Sequence, residues 1–372
     1  MNIRDLAKLT FVDADPQEME IHILATVEGL LQRKLARADP LRLFLLSVEA
    51  LLIQQRLLFD QMAKMNLLAY AKGGYLDHLG ILVGANRLPA SPAKATMKLT
   101  LAAVRDQAVV IPKGARITAG DNCYFALDEA AIIPAGSLAV MAAATCTEEG
   151  EKGNGYLPSE INKIVDPAPF WAAAENVTKS EGGADTESDE AYRERIQEAP
   201  EKFSTAGPAL AYEYHAKAAS ALIVDVSVDS PAPGEVIVYP LLKGGVIPGN
   251  EILTLVDKKL NDRSIRPLTD KVSVKAPESV KYDVDVLYYI DRRDATEAAR
   301  IQSRAESAVQ EFIAWQKERL GRDVNPTELY YRLRAAGVKR AEIKSPVFTA
   351  TNKKQVAVAE SVKASFGGLE DE

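Results

Sequence analysis

Gly73-Gly74-Tyr75-Leu76-Asp77 is the first of six turn segments that mark the course of this chain. The others read Arg87-Leu88-Pro89, Ile111-Pro112-Lys113-Gly114, Pro134-Ala135-Gly136, Gly153-Asn154-Gly155 and Gly182-Gly183-Ala184-Asp185. Glycine accepts positive φ angles and proline fixes φ, so these residues specify bends in the backbone. No catalytic type of side chain recurs among the segments. The pattern therefore predicts a protein that is built to hold a shape.

The last segment continues into a predicted helix start, Gly182-Gly183-Ala184-Asp185-Thr186-Glu187-Ser188-Asp189-Glu190-Ala191-Tyr192-Arg193. In order and context the segments resemble the baseplate J-like family of phage tails and related contractile injection machines. There a Gly-x-Leu-Asp leads to an Arg-x-Pro, to Pro-x-Gly turns of a β domain, and to a Gly-Gly-x-Asp-x-Glu-Ser-Asp helix start. The resemblance covers about residues 70–290. The matching turn positions are Gly74, Asp77, Arg87, Pro112, Gly114, Gly136, Gly153, Asn154, Gly183 and Asp185.

The resemblance implies a structural role in a tail or injection-particle baseplate, with synthesis in the bacterial cytoplasm. It implies that two copies join one smaller protein in a wedge, and that wedges form a ring around a central hub. The N-terminal helices would enter a bundle with the second copy and the smaller protein. The C-terminal domain would join neighbouring wedges, and the ring would widen on host contact and pass that motion to the sheath through sheath-initiating proteins.

Composition is that of a soluble globular protein with more than one domain. The 372 residues are 47% hydrophobic and 26% charged, and the net charge of −7 argues against general nucleic-acid binding. Residues 41–70 are rich in apolar side chains, but five charged residues interrupt them, which argues against a membrane span. The N-terminus lacks the apolar run of a signal peptide, so we expect Cys123 and Cys146 to be free thiols; a cross-strand disulfide is the alternative.

Two N-terminal helices are predicted, at residues 14–37 and 41–72. Asp15, Pro16 and Glu18 form the start signal of the first helix. In the second, Arg42, Glu49 and Arg56 recur every seven residues and predict a narrow solvated stripe. The rest of its girth is apolar, which predicts burial either against the chain's own β domain or, as we favour, in a bundle with other subunits. The predicted bundle residues are Leu45, Val48, Leu51, Leu52, Leu58, Phe59 and Met62.

Three regions follow from the pattern, and together they predict a multidomain α+β protein. Residues 1–92 form the helical bundle segment, and residues 93–180, with alternating apolar positions and frequent turns, form a small β domain. Residues 181–372 alternate strands and helices. This pattern predicts an α+β association domain, ferredoxin-like in part, with an antiparallel sheet and helices on one face.

The search for reactive groups predicts neither an enzyme nor a cofactor or metal site. The three histidines, His22, His78 and His215, lie in separate predicted segments, and no metal-ligand spacing is present. The dense acidic group Asp185–Glu190 is explained by the positive end of a helix. The alternatives are a tail-associated hydrolase with an acidic site at Asp185–Glu190, or a receptor-binding tail module.

Charge is unevenly distributed along the second half of the chain. Residues 175–201 are acidic, and residues 243–275 are locally basic. The two segments are predicted to meet between neighbouring copies; contact within one chain, or exposure to water alone, is the alternative.

Overall fold

A computed structural model describes residues 6–203, 208–263 and 265–371. The chain divides into two compact units. The first comprises the chain up to Arg87 together with Tyr192–Gln197, and the second comprises Leu88–Ala191 and the chain from Glu198 onward. The predicted division into domains 1–92, 93–180 and 181–372 stays a prediction.

The first unit contains three helices of its own, α1 (Pro16–Leu31), α2 (Pro40–Lys64) and α3 (Gly74–Leu82). The predicted start of α1 is confirmed, because the Asp15 carboxylate accepts hydrogen bonds from the amides of Gln17 and Glu18. Both N-terminal helices end earlier than predicted. Gln32 adopts a left-handed conformation that stops α1, and a series of turns replaces the last residues expected in α2.

The charged stripe of α2 is not the solvated stripe that its spacing predicts. Arg42 forms a 2.8 Å ion pair with Glu20 of α1, and Glu49 is only 6% exposed. Arg56 is exposed, but its guanidinium donates to the carbonyl oxygen of Asp13. The stripe is therefore the face that α2 turns toward α1 and the preceding segment, since ion pairs and capping of free carbonyls can satisfy these charges there.

The second unit begins with a β domain. Its strands are β1 (Pro92–Leu101), β2 (Val109–Ile111), β3 (Arg116–Thr118), β4 (Tyr124–Leu127), β5 (Ala131–Ile133), β6 (Ala139–Glu149), β7 (Lys163–Ile164) and β8 (Trp171–Asn176). Six of them form one antiparallel sheet in the order β7-β3-β4-β6-β1-β8, and β2 pairs separately with β5. Edge strands β7 and β8 lie beside each other, so the sheet is nearly closed. The predicted alternation in β1 is confirmed, because Met97, Leu99 and Leu101 are all buried.

The remainder of the chain alternates helices and strands. In order these are α4 (Asp189–Glu198), α5 (Ala209–Lys217), β9 (Ile223–Asp229), β10 (Glu235–Leu242), α6 (Asn250–Leu260), β11 (Lys271–Val274), β12 (Glu278–Asp291), α7 (Ala298–Lys317), α8 (Pro326–Ala335), β13 (Arg340–Ser345) and β14 (Gln355–Glu370). Residues 204–207, which precede α5, lie outside the described residues. The mixed helix and strand content agrees with the predicted α+β class.

The predicted antiparallel sheet of this region is wrong in its strand directions. The strands form two separate three-stranded sheets, ordered β11-β10-β9 and β13-β12-β14. Each contains a parallel pair, β10 with β11 and β12 with β14. The connections explain the parallel pairs. Helix α6 joins β10 to β11, and α7, α8 and β13 lie between β12 and β14. Connections of this length allow β11 to run in the same direction as β10, and β14 in the same direction as β12. The ferredoxin-like arrangement is not established.

Candidate interaction surface

The apolar side chains predicted for a bundle are mostly exposed. Leu51 is 61% exposed, Leu58 52%, Phe59 59% and Met62 57%. Leu52 is 40% exposed, and Leu45 and Val48 are half-buried. We call Leu51, Leu52, Leu58, Phe59 and Met62 the apolar α2 surface. Single exposed apolar residues are common, but large apolar side chains gathered on one helix indicate a contact site.

Within the two helices α1 and α2, the fully buried residues are polar; the connecting loop adds buried Leu35. Glu49 and Asp60 are the buried residues of α2, and α1 has none. A hairpin normally buries its apolar stripe against a partner and leaves charges outside. In α2 the opposite holds, because two acidic residues are buried and large apolar side chains stay exposed. The contacts inside the hairpin therefore do not cover these apolar side chains.

Asp60 attaches the N-terminal arm, residues 6–13, to α2. Its carboxylate accepts hydrogen bonds from the amides of Phe11 (2.7 Å) and Val12 (3.4 Å) and pairs with Lys64 at 2.6 Å. These bonds, that to Lys64 first, lower the pKa of Asp60 below its ordinary value. Sequence reasoning treated Asp60 only as an interruption of the apolar run. The four-residue spacing to Lys64 was the available signal.

Glu49 is the unusual group of the hairpin. Its Oε2 atom is buried and has no hydrogen-bond partner, and Glu20, which approaches from α1, carries the same charge. Burial, and then Glu20, raise the pKa of Glu49 above its ordinary value. An unsatisfied buried carboxyl weakens the contact that contains it.

The first two turn motifs contact each other within the first unit. Arg87 Nε pairs with Asp77 Oδ1 at 2.8 Å, and the guanidinium lies 4.7 Å from the centre of the Tyr192 ring. The Tyr192 hydroxyl donates to the carbonyl oxygen of Ala85, and the Arg193 guanidinium donates to the carbonyl oxygen of Leu68. The Gly-x-Leu-Asp and Arg-x-Pro segments thus meet through an ion pair, and the helix start that follows Asp185 supplies the aromatic ring. The sequence identifies Asp77 and Arg87 as turn positions and does not show that they pair.

The later motifs also contact one another, in a cluster that we call the motif junction (Gly150, Asn154, Gly183 and Asp185). The Asn154 side chain both donates to the carbonyl oxygen of Gly183 (2.6 Å) and accepts from its amide (2.9 Å). Asp185 accepts from the amide of Glu151. A Cβ atom on Gly183 would lie 2.3 Å from the carbonyl oxygen of Gly150, so no side chain fits there. Gly153 is similarly confined, because its Cβ would lie 2.9 Å from Ala93 Cβ.

The remaining motif residues shape turns between barrel strands. Pro112 and Gly114 lie between β2 and β3, and the amide of Ala115 donates to the carbonyl oxygen of Pro112. Gly114 (φ 80°) and Gly136 (φ 79°) adopt the left-handed conformation that glycine accepts. Gly74 is the first residue of α3. These positions act on the backbone, as the sequence predicts.

Two carboxylates of the acidic group, those of Asp185 and Glu187, accept hydrogen bonds from backbone amides. The amide of Glu187 donates to the carbonyl oxygen of Leu88, and the amide of Leu88 donates to the Glu187 carboxylate, both at 3.0 Å. Asp185 is engaged at the motif junction. Across the described ranges, no three His, Cys, Asp or Glu side chains are grouped so as to hold a metal ion. In the same part of the chain, no helix has the length and apolarity needed to cross a membrane.

Comparisons with known proteins match two regions of the second unit. Residues 96–183 match the Baseplate J-like protein barrel domain, and residues 204–276 match the Baseplate J-like central domain. Baseplate protein J of Escherichia phage P2 is 32% identical over 187 residues, which are 50% of this chain and 61% of that protein. This chain therefore aligns with less than two thirds of that relative.

A solved structure titled as the baseplate of the anti-feeding prophage, 6-fold symmetrised, aligns with 92% of this chain and 90% of its own, at 14% identity and a TM-score of 0.39. That score does not establish a common overall fold. The two domain matches and the phage relative are the informative findings. They show that residues 96–183 and 204–276 carry the barrel and central domains of the baseplate J-like family, in a chain similar to part of a phage baseplate protein.

Proposed function

We propose that this chain is a wedge protein, which assembles into a ring around the central hub of a phage tail or related injection machine. Its N-terminal helices enter a bundle with a second copy and with helices of a smaller wedge protein. Its C-terminal region associates with neighbouring wedges, and the ring contacts the hub and the sheath-initiating proteins. The chain acts by assembly and performs no turnover.

The apolar α2 surface is the observation that carries the proposal. Its five side chains are 40–61% exposed, while the hairpin buries Glu49 and Asp60 instead. The N-terminal arm adds Leu9 and Phe11, which are 49% and 52% exposed. Burying such side chains stabilises an assembly by roughly 1.5–3 kcal/mol each, so helices from other subunits are the natural partners.

The spacing of the surface supports a helical partner. Leu51 and Leu58 are seven residues apart, as are Leu52 and Phe59, so both pairs run along the helix in narrow rows. Seven-residue rows are the pattern by which helices pack side by side in bundles and coiled coils. Ser47, Gln54 and Gln61 form a parallel row whose side chains are already polar and exposed, so a charge placed there replaces no apolar contact.

The test is a double substitution in the apolar rows, Leu52→Asp with Leu58→Asp. Each aspartate would bury a charge in the bundle at a cost of several kcal/mol, so self-association of the full-length chain through α2 should be lost at micromolar concentration. Light scattering after size-exclusion chromatography measures the mass at micromolar concentration. The matched control is Gln54→Asp with Gln61→Asp, which adds the same charge to the polar row and should leave the mass unchanged.

Hydrogen exchange of the same samples gives a second readout. Amides of α1 and α2 should exchange quickly in the double-aspartate variant and be protected in the assembled wild type. A wild-type chain that is monomeric at this concentration and still fully protected in α1 and α2 would contradict the proposal. So would equal loss of mass in the control variant.

A further inference from the structure

Cys123 and Cys146 meet inside the barrel. Cys123 lies just before β4, and Cys146 lies on β6 opposite Phe125, the residue two positions after Cys123. Both side chains belong to the barrel core and are 1% and 4% exposed. Their sulfur atoms are 3.5 Å apart, and both thiols are free. The sequence left open whether the two cysteines would be free or bridged.

We propose that these two thiols are a site of reversible oxidation, at which a disulfide bond joins the residue before β4 to β6 inside the barrel core. Both side chains point to the same face of neighbouring strands. The sulfur atoms need to approach by about 1.5 Å to reach the bonded distance of about 2.05 Å.

The oxidation balances with a two-electron oxidant such as hydrogen peroxide. One thiolate attacks a peroxide oxygen, the S–O bond forms, the O–O bond breaks, and the departing hydroxide takes a proton to become water. The second thiol then attacks the resulting sulfenic sulfur, so that the S–S bond forms and the S–O bond breaks. A second water leaves. In total two thiols and one peroxide give one disulfide and two waters.

The surroundings make this reaction slow but selective. Burial raises the pKa of the Cys123 thiol to about 11, so it is almost fully protonated at neutral pH. Gly153 covers Cys146 so closely that a Cβ atom there would lie 2.9 Å from the sulfur. Because both thiols are buried, they cannot form a disulfide with a thiol of another molecule, but each lies next to the other. The thiols persist in a reducing compartment, and the bridge forms in an oxidising one.

The test oxidises the folded, full-length chain with hydrogen peroxide and then blocks the remaining thiols. Trypsin cannot separate the two cysteines, because no Lys or Arg lies between Arg116 and Lys152. Cleavage after Glu129 does separate them, and a glutamyl endopeptidase digest therefore shows a linked pair of peptides only if the bridge has formed. We expect the linked pair in most of the protein, its loss on adding a reductant, and an intact mass lower by two hydrogens.

The variants Cys123→Ala and Cys146→Ala are the matched controls, and each should give no linked peptide and no covalent dimer. Circular dichroism confirms that each sample stays folded, and the reduced wild type serves if a variant does not fold. The oxidised wild type should need more urea to unfold than the reduced form, a difference absent from both variants. Thiols that stay free in the folded chain, or a link that forms only after unfolding or between two chains, would overturn the proposal.

Discussion

Gly183 leaves no space for even one added methyl group. It follows Gly182 in a segment whose dipeptide alone signals only a turn, and its own φ is not in the left-handed region. Contact rather than conformation requires glycine here, because the carbonyl oxygen of Gly150 and the Asn154 side chain surround it. Sequence reasoning identified this position as a motif residue, as it did Asn154 and Asp185. It could not identify the partners, since bonds across 29 residues leave no local pattern.

Gly183→Ala should therefore destabilise the barrel by roughly 1–3 kcal/mol, the usual cost of overpacking a tight contact. Gly74→Ala is the matched control, because nothing lies within 4 Å of its Cβ position and the residue is helical. That control should be neutral or stabilising by up to about 1 kcal/mol. Thermal unfolding followed by circular dichroism measures both. Equal effects of the two substitutions would contradict the packing argument.

Helices and strands were predictable wherever a local signal is complete. The Asp15 cap of α1 and the alternation of β1 both appear as expected. The ends of α1 and α2 were not predictable. The end of α1 was missed because Gln32, where the helix stops, is a residue type that seldom adopts positive φ. Strand direction was also missed, since β12 and β14 pair across a separation that no local pattern records.

The hairpin of α1 and α2 shows the limit of a periodicity argument. Spacing identified the charged row and the apolar rows of α2 correctly, but it assigned the charged row to solvent. The structure turns Arg42 and Glu49 toward α1. Periodicity tells which residues share a face and does not tell which face meets the neighbour.

Replacing Glu49 by Gln should stabilise the hairpin at neutral pH. The pKa of Glu49 is raised in the folded chain, so the folded state holds its proton more tightly than the unfolded state does. Stability therefore falls as pH rises from the ordinary value of 4.5 through the raised one. Glu49→Gln removes this loss, and the gain should be about 1 kcal/mol, the lower end of the cost of an unsatisfied buried polar group.

Hydrogen exchange of the α2 amides measures this change as the free energy of opening. The pH series supplies the control: the advantage of Glu49→Gln should shrink as pH falls below 4.5, where the wild-type carboxyl is protonated in both states. A variant that opens more easily than wild type at pH 7 would show that the carboxylate is ionised and paired.

At the scale of the whole molecule, the sequence predicts a contact between acidic and basic segments. Within the second unit Glu175 pairs with Lys98, and Glu198 pairs with Lys217. Glu181 accepts from the amide of Glu251. These three acids are engaged inside the chain, but with groups other than the basic side chains of residues 243–275, so the contact between the two segments stays a prediction. The basic segment keeps exposed lysines, among them Lys258 and Lys259 at the end of α6.

Contact between copies through the second unit is best measured where the bundle cannot form, in the Leu52→Asp and Leu58→Asp background. If the basic segment takes part, adding Lys258→Glu and Lys259→Glu should weaken the remaining association about tenfold, or about 1.4 kcal/mol. Salt should weaken it too, since exposed charges are screened. Sedimentation velocity across salt concentrations gives the dissociation constants. The matched control is Lys344→Glu with Lys363→Glu, at exposed positions of the β13-β12-β14 sheet. It changes the net charge equally and should leave the dissociation constant unchanged. A background variant that stays monomeric at high concentration and low salt would mean that the second unit does not join copies, because no other contact is then available to hold them.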